Sequence, residues 1–212
     1  MRRAEKQGDA AGIRAGIAQL ERLVALQPTI ERESLLGSAC KRLTMVEWRA
    51  GRKHEAQAAL DAAIAHYGAA ETLALRSGAD TLMFYPAKNA ISCELRAAFL
   101  KQRAPMLDAG RIKAVGDSLH QAVTEAPDFW SVAGQSELLI LAALAEGRLA
   151  DTEAGAVASL RDLKSRVPAA WMWDSVYNEA QFTLTPYLEL ASGAEQRAAH
   201  ELLEALKALA AA

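Results

Sequence analysis

One spacing of apolar positions recurs five times along the chain: a small or compact residue, then Leu four positions later, then Ala or Leu three positions after that. Steps of four and three residues place all three side chains on one face of an α-helix, and a small first residue allows a neighbouring helix to approach closely. We therefore expect five helices that bury this stripe. The copies are Gly16, Leu20, Leu23; Ala56, Leu60, Ala63; Val115, Leu119, Ala122; Ala156, Leu160, Leu163; and Ala198, Leu202, Ala205.

Prolines and glycines indicate where these helices end and begin. Proline lacks the amide that a continuing helix needs, and one follows the last member of three copies by five residues, at Pro28, Pro127 and Pro168. A glycine precedes the first member of three copies by five residues and predicts a turn into the helix. These glycines are Gly51, Gly110 and Gly193.

Longer amphipathic or apolar segments lie between the copies and predict partner helices over residues 30–50, 87–103, 129–146 and 170–190. The sequence thus predicts a repeated helix–turn–helix unit. First members of successive copies are 40, 59, 41 and 42 residues apart. The longest step contains an extra segment, Gly68 to Pro86, in which we expect a continued helix or a short extra helix to about Arg76 and then a loop.

This unit resembles the tetratricopeptide repeat (TPR), whose period is about 34 residues. The resemblance implies an all-α, right-handed α-α superhelix, a TPR-like solenoid of about nine or ten lengthened helices, in which residues 1–212 form a single repeat domain. A HEAT-like array is the alternative. Leu36-Gly37 and Cys40 match the opening Leu-Gly and the following Tyr of the family. Trp130, Ala133 and Gly134 match the same opening with its Trp present, and Trp173, Val176, Tyr177 and Ala180 match it more loosely.

The extra segment carries a second resemblance. Phe84-Tyr85-Pro86 followed by Asn89-Ala90 is similar to the Tyr-Pro-Gly-Ile-Asn-Ala stretch of the TRAF-binding helical region of MAP3 kinases and its bacterial TPR-like relatives, although the glycine is missing. Because an amide that follows a proline can cap a turn or bond to a neighbouring loop, we expect one of these two roles for Asn89, with a ligand contact as the alternative. The first copy has no opening partner before it, so we expect the chain to be part of a longer protein.

Charge and composition argue against several classes of function. Lys plus Arg total 24 against 26 for Asp plus Glu, and no basic run is long enough to neutralise a phosphate backbone, so no nucleic-acid partner is predicted. The longest apolar run, Leu138 to Ala145, falls far short of the roughly 20 residues of a membrane span, so we predict no membrane association and a cytoplasmic location. Cys40 and Cys93 are interpreted as buried thiols.

No pattern in the sequence predicts catalysis. The four histidines are spaced so that no two share one helical face, and there is no Gly-rich phosphate loop and no nucleophile elbow. We therefore predict no catalytic residue, no metal and no cofactor, and interpret the chain as not an enzyme.

The TPR resemblance implies that the opening helices line a concave groove. Its mixed polar positions suit a peptide or a partner helix, so we interpret the chain as a protein–protein interaction scaffold; a regulatory or autoinhibitory segment of a larger signalling enzyme is the alternative. Trp171 and Trp173 point about 200° apart on a helix, so if one is core the other is partly exposed or packs on a neighbouring repeat. The implied groove positions are Ser34, Ser38, Lys41, Arg42, Ser131, Gln135, Trp171, Asp174, Asn178 and Gln181.

Overall fold

The computed structural model describes residues 5, 7–167 and 169–211. Within these ranges it contains nine α-helices and no strand, which confirms an all-α repeat fold. The helices are α1 (Ala10–Leu26), α2 (Ile30–Arg49), α3 (Lys53–Ser77), α4 (Asp80–Leu100), α5 (Ala109–Glu125), α6 (Phe129–Glu146), α7 (Leu149–Arg166), α8 (Ala170–Leu188) and α9 (Gly193–Ala211).

Local capping explains why α2 and α6 begin where the sequence predicts them. The side chain of Thr29 accepts a hydrogen bond from the amide of Arg32 at the start of α2. Asp128 and Ser131 form a reciprocal capping box that starts α6, so this helix has its predicted bounds. Pro168, the predicted stop after α7, lies outside the described residues.

The extra segment, Gly68 to Pro86, is helical almost throughout. Helix α3 continues to Ser77, close to the predicted Arg76, and Gly78 ends it in the left-handed conformation (φ 64°). The loop predicted as far as Pro86 is wrong, because α4 already begins at Asp80 and contains this proline.

Burial accounts for the helical Pro86. A proline in the second turn of a helix removes one hydrogen bond, to the carbonyl four residues earlier. The same turn buries Met83, Phe84 and Ala87, and each large apolar side chain contributes about 1.5–3 kcal/mol on burial. This gain offsets the missing hydrogen bond.

The glycine signals were correct at two of three positions. Gly51 and Gly193 have positive φ values of 75° and 60° and lie next to helix starts. Gly110 is not a turn residue: it lies in the first turn of α5, where its amide donates to Asp108 Oδ1 at 3.2 Å. Asp108 itself is the capping residue that the pattern had missed.

The chain divides into two compact units between Cys93 and Glu94, within α4. In the first unit α1 packs on α2, and α2 packs along α3. Gly37 permits the second of these approaches, because a Cβ atom at this position would lie 2.9 Å from the ring of Tyr67. The core that joins α1 to this pair contains Ile13, Leu43, Val46 and Ala59.

The second unit shows the alternation of a helical repeat. The opening helices α6 and α8 contact each other, as do the closing helices α7 and α9, and each opening helix packs on its own closing helix. Gly134 has the same role here as Gly37 in the first unit, because an added Cβ would lie 2.8 Å from Leu119 Cδ2.

A carboxylate from α9 caps α7. The residue before this helix, Arg148, gives no side-chain cap. Instead, Glu195 accepts hydrogen bonds from the amides of Leu149 (2.9 Å) and Ala150 (3.0 Å) and from the hydroxyl of Tyr187 (2.6 Å). A negative charge at a helix N-terminus is favourable, so this contact ties α7, α8 and α9 together.

The predicted closing stripe is completely buried in three of its five copies, and in the last copy two of its three positions are buried. In the first copy Leu23 is exposed, and Gly16 and Leu20 are half-buried, as is Ala205 in the last. Cys40 and Cys93 are buried and form no disulfide, as predicted. No helix of the described chain combines the length and apolarity required to cross a bilayer. The buried stripe positions are Ala56, Leu60, Ala63, Val115, Leu119, Ala122, Ala156, Leu160, Leu163, Ala198 and Leu202.

Candidate functional site

None of the four predicted groove positions of the first unit is fully exposed. Ser34 is buried, and Lys41, expected on an open surface, is only 8% exposed. Its amino group donates to Asn89 Oδ1 (3.3 Å) and to Ser92 Oγ (3.4 Å), which links α2 to α4. Lys41 is therefore part of the packing between these helices.

Asn89 does not cap a turn and does not bond to a loop. It lies in the interior of α4, where its Nδ2 donates to the carbonyl of Tyr85 at 2.9 Å while its Oδ1 accepts from Lys41. The turn expected before Asn89 does not exist, because α4 begins nine residues earlier, at Asp80. Of the remaining positions in this unit, Arg42 pairs with Glu5 at 2.5 Å and Ser38 is half-buried.

The predicted positions of the second unit lie on two helices. On α6, Ser131 is buried in the capping box, whereas Gln135 is exposed. On α8, steps of three, four and three residues place the other four positions along one face. This face is open: Trp171 and Asn178 are exposed, and Asp174 and Gln181 are half-buried.

The two tryptophans at the start of α8 divide as their spacing predicts. Trp173 is 1% exposed, and its Nε1 donates to the carbonyl of Val167 at 2.7 Å. Phe129 meets its ring edge-on, with centroids 5.2 Å apart. Trp171 is 50% exposed and packs on Trp130 of α6, with ring centroids 5.9 Å apart. The buried ring fixes the helix, so the exposed ring is held at the surface.

An apolar pocket lies between α6 and α8, with further walls from α7 and α9. Among its lining residues only Glu137, Glu179 and Ala180 are partly exposed, so they form its mouth. The sequence analysis missed this pocket, because it forms between helices that are far apart in sequence. Its walls include Ile140, Leu144, Leu160, Val176, Leu184 and Leu206.

On α6, the tryptophan pair and the mouth of the pocket lie on the same face. Trp130 and Glu137 are seven residues apart and therefore share a face of α6, about 10 Å apart along the helix axis. Trp171 and Glu179 are eight residues apart on α8, which places them about 80° apart around the helix, on adjoining faces. We call the surface formed by these four residues the α6–α8 seam.

Comparison with known proteins supports the repeat fold. Residues 2–94 match the family model described as Tetratricopeptide Repeats-Sensor (TPR-S), which supports a TPR-like helical repeat fold. The match covers the first unit and ends at the first residue of the second, so the α6–α8 seam lies outside it. No curated protein and no solved structure matches the chain.

Proposed function

We propose that the chain is a protein-interaction scaffold and that the α6–α8 seam, with the open face of α8, binds the partner. The half-exposed ring of Trp171, packed against Trp130, carries this proposal. Tryptophan is enriched among the residues that dominate binding energy at interfaces. Its ring exposes a large apolar area to water in the free protein, and a complex buries this area.

The surroundings of this ring suit a polypeptide partner. Asn178 and Gln181 lie on the same face of α8 and offer amide donors and acceptors beside the aromatic anchor. Both helices are fixed by buried neighbours, so little conformational entropy is lost on binding. TPR-like repeats generally act in protein–protein contacts, which agrees with this use of the surface.

A photo-crosslinking experiment tests the proposal. A photoreactive amino acid replaces Asn178 on the open face or, as a matched control, the exposed Ser159 of α7. After irradiation in the cells that naturally produce the protein, we expect a discrete crosslinked species only from position 178, and Trp171→Ala should remove it. Equal products from both positions, or a product that survives Trp171→Ala, would place the binding surface elsewhere.

The family match favours a second candidate, a regulatory segment of a larger signalling enzyme. The matching family is described as a sensor, and the matched residues 2–94 correspond to the first unit. Deleting residues 2–94 from the natural full-length protein tests this candidate. A changed activity of a catalytic domain in the same polypeptide would support this candidate. If the natural protein contains no catalytic domain, the candidate fails and the scaffold proposal stands.

A further inference from the structure

We propose that the loop between α4 and α5, residues 101–108, is a docking segment that binds in an acidic groove of a partner protein. Met106 is its apolar anchor, and Lys101 and Arg103 are its charged contacts. The loop contains none of the residues of the α6–α8 seam, so the inference goes beyond the proposed function and does not depend on it. Three features of the loop carry it: the exposure of Met106, the two cations and the free main-chain groups.

The loop is the longest connection between the described helices. The other connections are two to four residues long, whereas this one extends from Lys101 to Asp108. Within it Met106 is 96% exposed, more than any other large apolar residue in the described ranges. Methionine is common at protein-binding surfaces, because its flexible side chain adapts to the shape of a pocket. Single exposed apolar residues are also common elsewhere, so the neighbours of Met106 decide how it is interpreted.

Two cations precede Met106 in the loop. Lys101 and Arg103 are exposed, and neither forms an ion pair with a described residue. The single carboxylate of the loop, Asp108, is engaged at the start of α5, where it accepts hydrogen bonds from the amides of Gly110 (3.2 Å) and Arg111 (3.0 Å). The two positive charges thus remain available to a partner, and they select an acidic surface.

The main chain of the loop is also available. The last amide bonded back to α4 is that of Arg103, and the amides of Ala104, Met106 and Leu107 donate to no described residue. Proline fixes its own φ and favours an extended conformation in the residue before it, so Pro105 favours an open chain here. Free main-chain groups suit recognition by another polypeptide. A lipid interior offers them no hydrogen-bond partners, so these groups favour a protein over a membrane.

The spacing of the loop residues describes the groove that fits them. Each residue of an extended or polyproline II chain advances about 3.1–3.4 Å, so Arg103 and Met106 are about 10 Å apart in such a chain. Polyproline II has three residues per turn, which places these two side chains on one face. The matching groove has an apolar pocket and, about 10 Å from it, Asp or Glu side chains.

Photo-crosslinking from the loop tests the inference. A photoreactive amino acid replaces the exposed Ala104 in the full chain, which leaves Met106 and both cations in place. After irradiation in an extract of the cells that naturally produce the protein, we expect one discrete adduct, whose partner peptide contains Asp or Glu when it is identified by mass spectrometry. A synthetic peptide of residues 99–109, added in excess before irradiation, should reduce the adduct roughly tenfold, whereas the same peptide with Met106→Ser should not.

Variants of the protein separate the contributions of charge and anchor. Lys101→Glu combined with Arg103→Glu should lower the yield of the adduct roughly tenfold. Arg161→Glu combined with Arg197→Glu, which reverses two exposed charges on α7 and α9, is the matched control and should not lower it. Met106→Ser should lower the yield roughly fivefold, whereas Met106→Leu should retain it. Circular dichroism confirms that each variant is folded.

The absence of an adduct overturns the inference, as does an adduct that survives the charge reversal or the competing peptide. Sedimentation of the purified chain with vesicles of phosphatidylcholine and phosphatidylserine is the test for a membrane contact. Binding to these vesicles that is lost on Lys101→Glu combined with Arg103→Glu would also overturn it. The crosslink from position 178 reports on the proposed function separately, because none of these variants changes α6 or α8.

Discussion

Arg96 donates a hydrogen bond to the main-chain carbonyl of Phe182, the carbonyl that Pro186 leaves without a helical donor. In α8 this oxygen would normally accept from the amide of residue 186, which proline lacks. The guanidinium of Arg96 also lies 4.6 Å from the centroid of the Phe182 ring, and the arginine is 1% exposed. A buried arginine of α4 thus supplies the hydrogen bond that the proline removes from α8.

The repair predicts coupling between two substitutions. Arg96→Met should lower the free energy of unfolding by about 1–3 kcal/mol, since it leaves a buried carbonyl unsatisfied. Pro186→Ala supplies an amide to that carbonyl, so Arg96→Met should cost less in its presence. Denaturant unfolding of the wild type, both single variants and the double variant measures the coupling. Costs that simply add would show that the carbonyl does not depend on Arg96.

Two glycines, one closely packed and one in open space, predict opposite effects of alanine. Gly37→Ala places a Cβ atom 2.9 Å from the buried ring of Tyr67 and should destabilise by about 1–3 kcal/mol, the usual cost of overpacking. Gly155→Ala, in the interior of α7 with no atom within 4 Å, should stabilise by about 0.5–1 kcal/mol. Thermal melts compare them; equal shifts would contradict the tight packing of α2 on α3.

The carboxylate that caps α7 predicts a pH dependence. Burial alone would raise the pKa of Glu195, but hydrogen bonds from Tyr187 and from the amides of Ala150 and Leu149 outweigh it and lower the pKa. A lowered folded-state pKa stabilises the fold above the ordinary value of about 4.3, and this contribution disappears as the pH falls through the folded-state value.

Glu195→Gln should therefore melt below the wild type at pH 7, and the difference should shrink as the pH is lowered past about 4. Glu189→Gln, at an exposed position, is the control and should show no such trend. A difference between wild type and Glu195→Gln that is constant with pH would contradict the ionised cap.

The neighbouring tryptophans of α8 predict separate effects on folding and binding. Trp173→Ala should cost about 3–5 kcal/mol, as for other large buried aromatic residues. Trp171→Ala removes a half-exposed ring and should cost clearly less in the same denaturant titration, while it removes the crosslink from position 178. Equal losses of stability would mean that Trp171 is part of the core and is not an anchor for a partner.

Much of this fold could be read from local patterns. The stripe of α7 at Ala156, Leu160 and Leu163 depends only on the helical period, and the bounds of α6 follow from a capping box and a glycine at its end. The loop before Pro86 was mispredicted because the stop rule for proline is local, whereas burial of the surrounding turn depends on the whole unit.

The candidate site was only partly predictable. The exposure of Trp171 follows from its angle to Trp173, but the burial of Lys41 does not follow from any local pattern, because it depends on Asn89 and Ser92, about 50 positions away in the chain. The pocket between α6 and α8 requires the packing of four helices.

The distribution of cysteine and tryptophan gives each unit its own natural spectroscopic or chemical reporter. Both cysteines lie in the first unit and three of the four tryptophans in the second. Burial, and secondarily Glu21, raises the pKa of Cys40 to about 11, so this thiol is protonated at pH 7 and reacts slowly while it is buried. An alkylating reagent thus reacts mainly when the first unit unfolds, whereas indole emission reports mostly on the second unit. The unfolding of each unit can therefore be followed in one unlabelled sample.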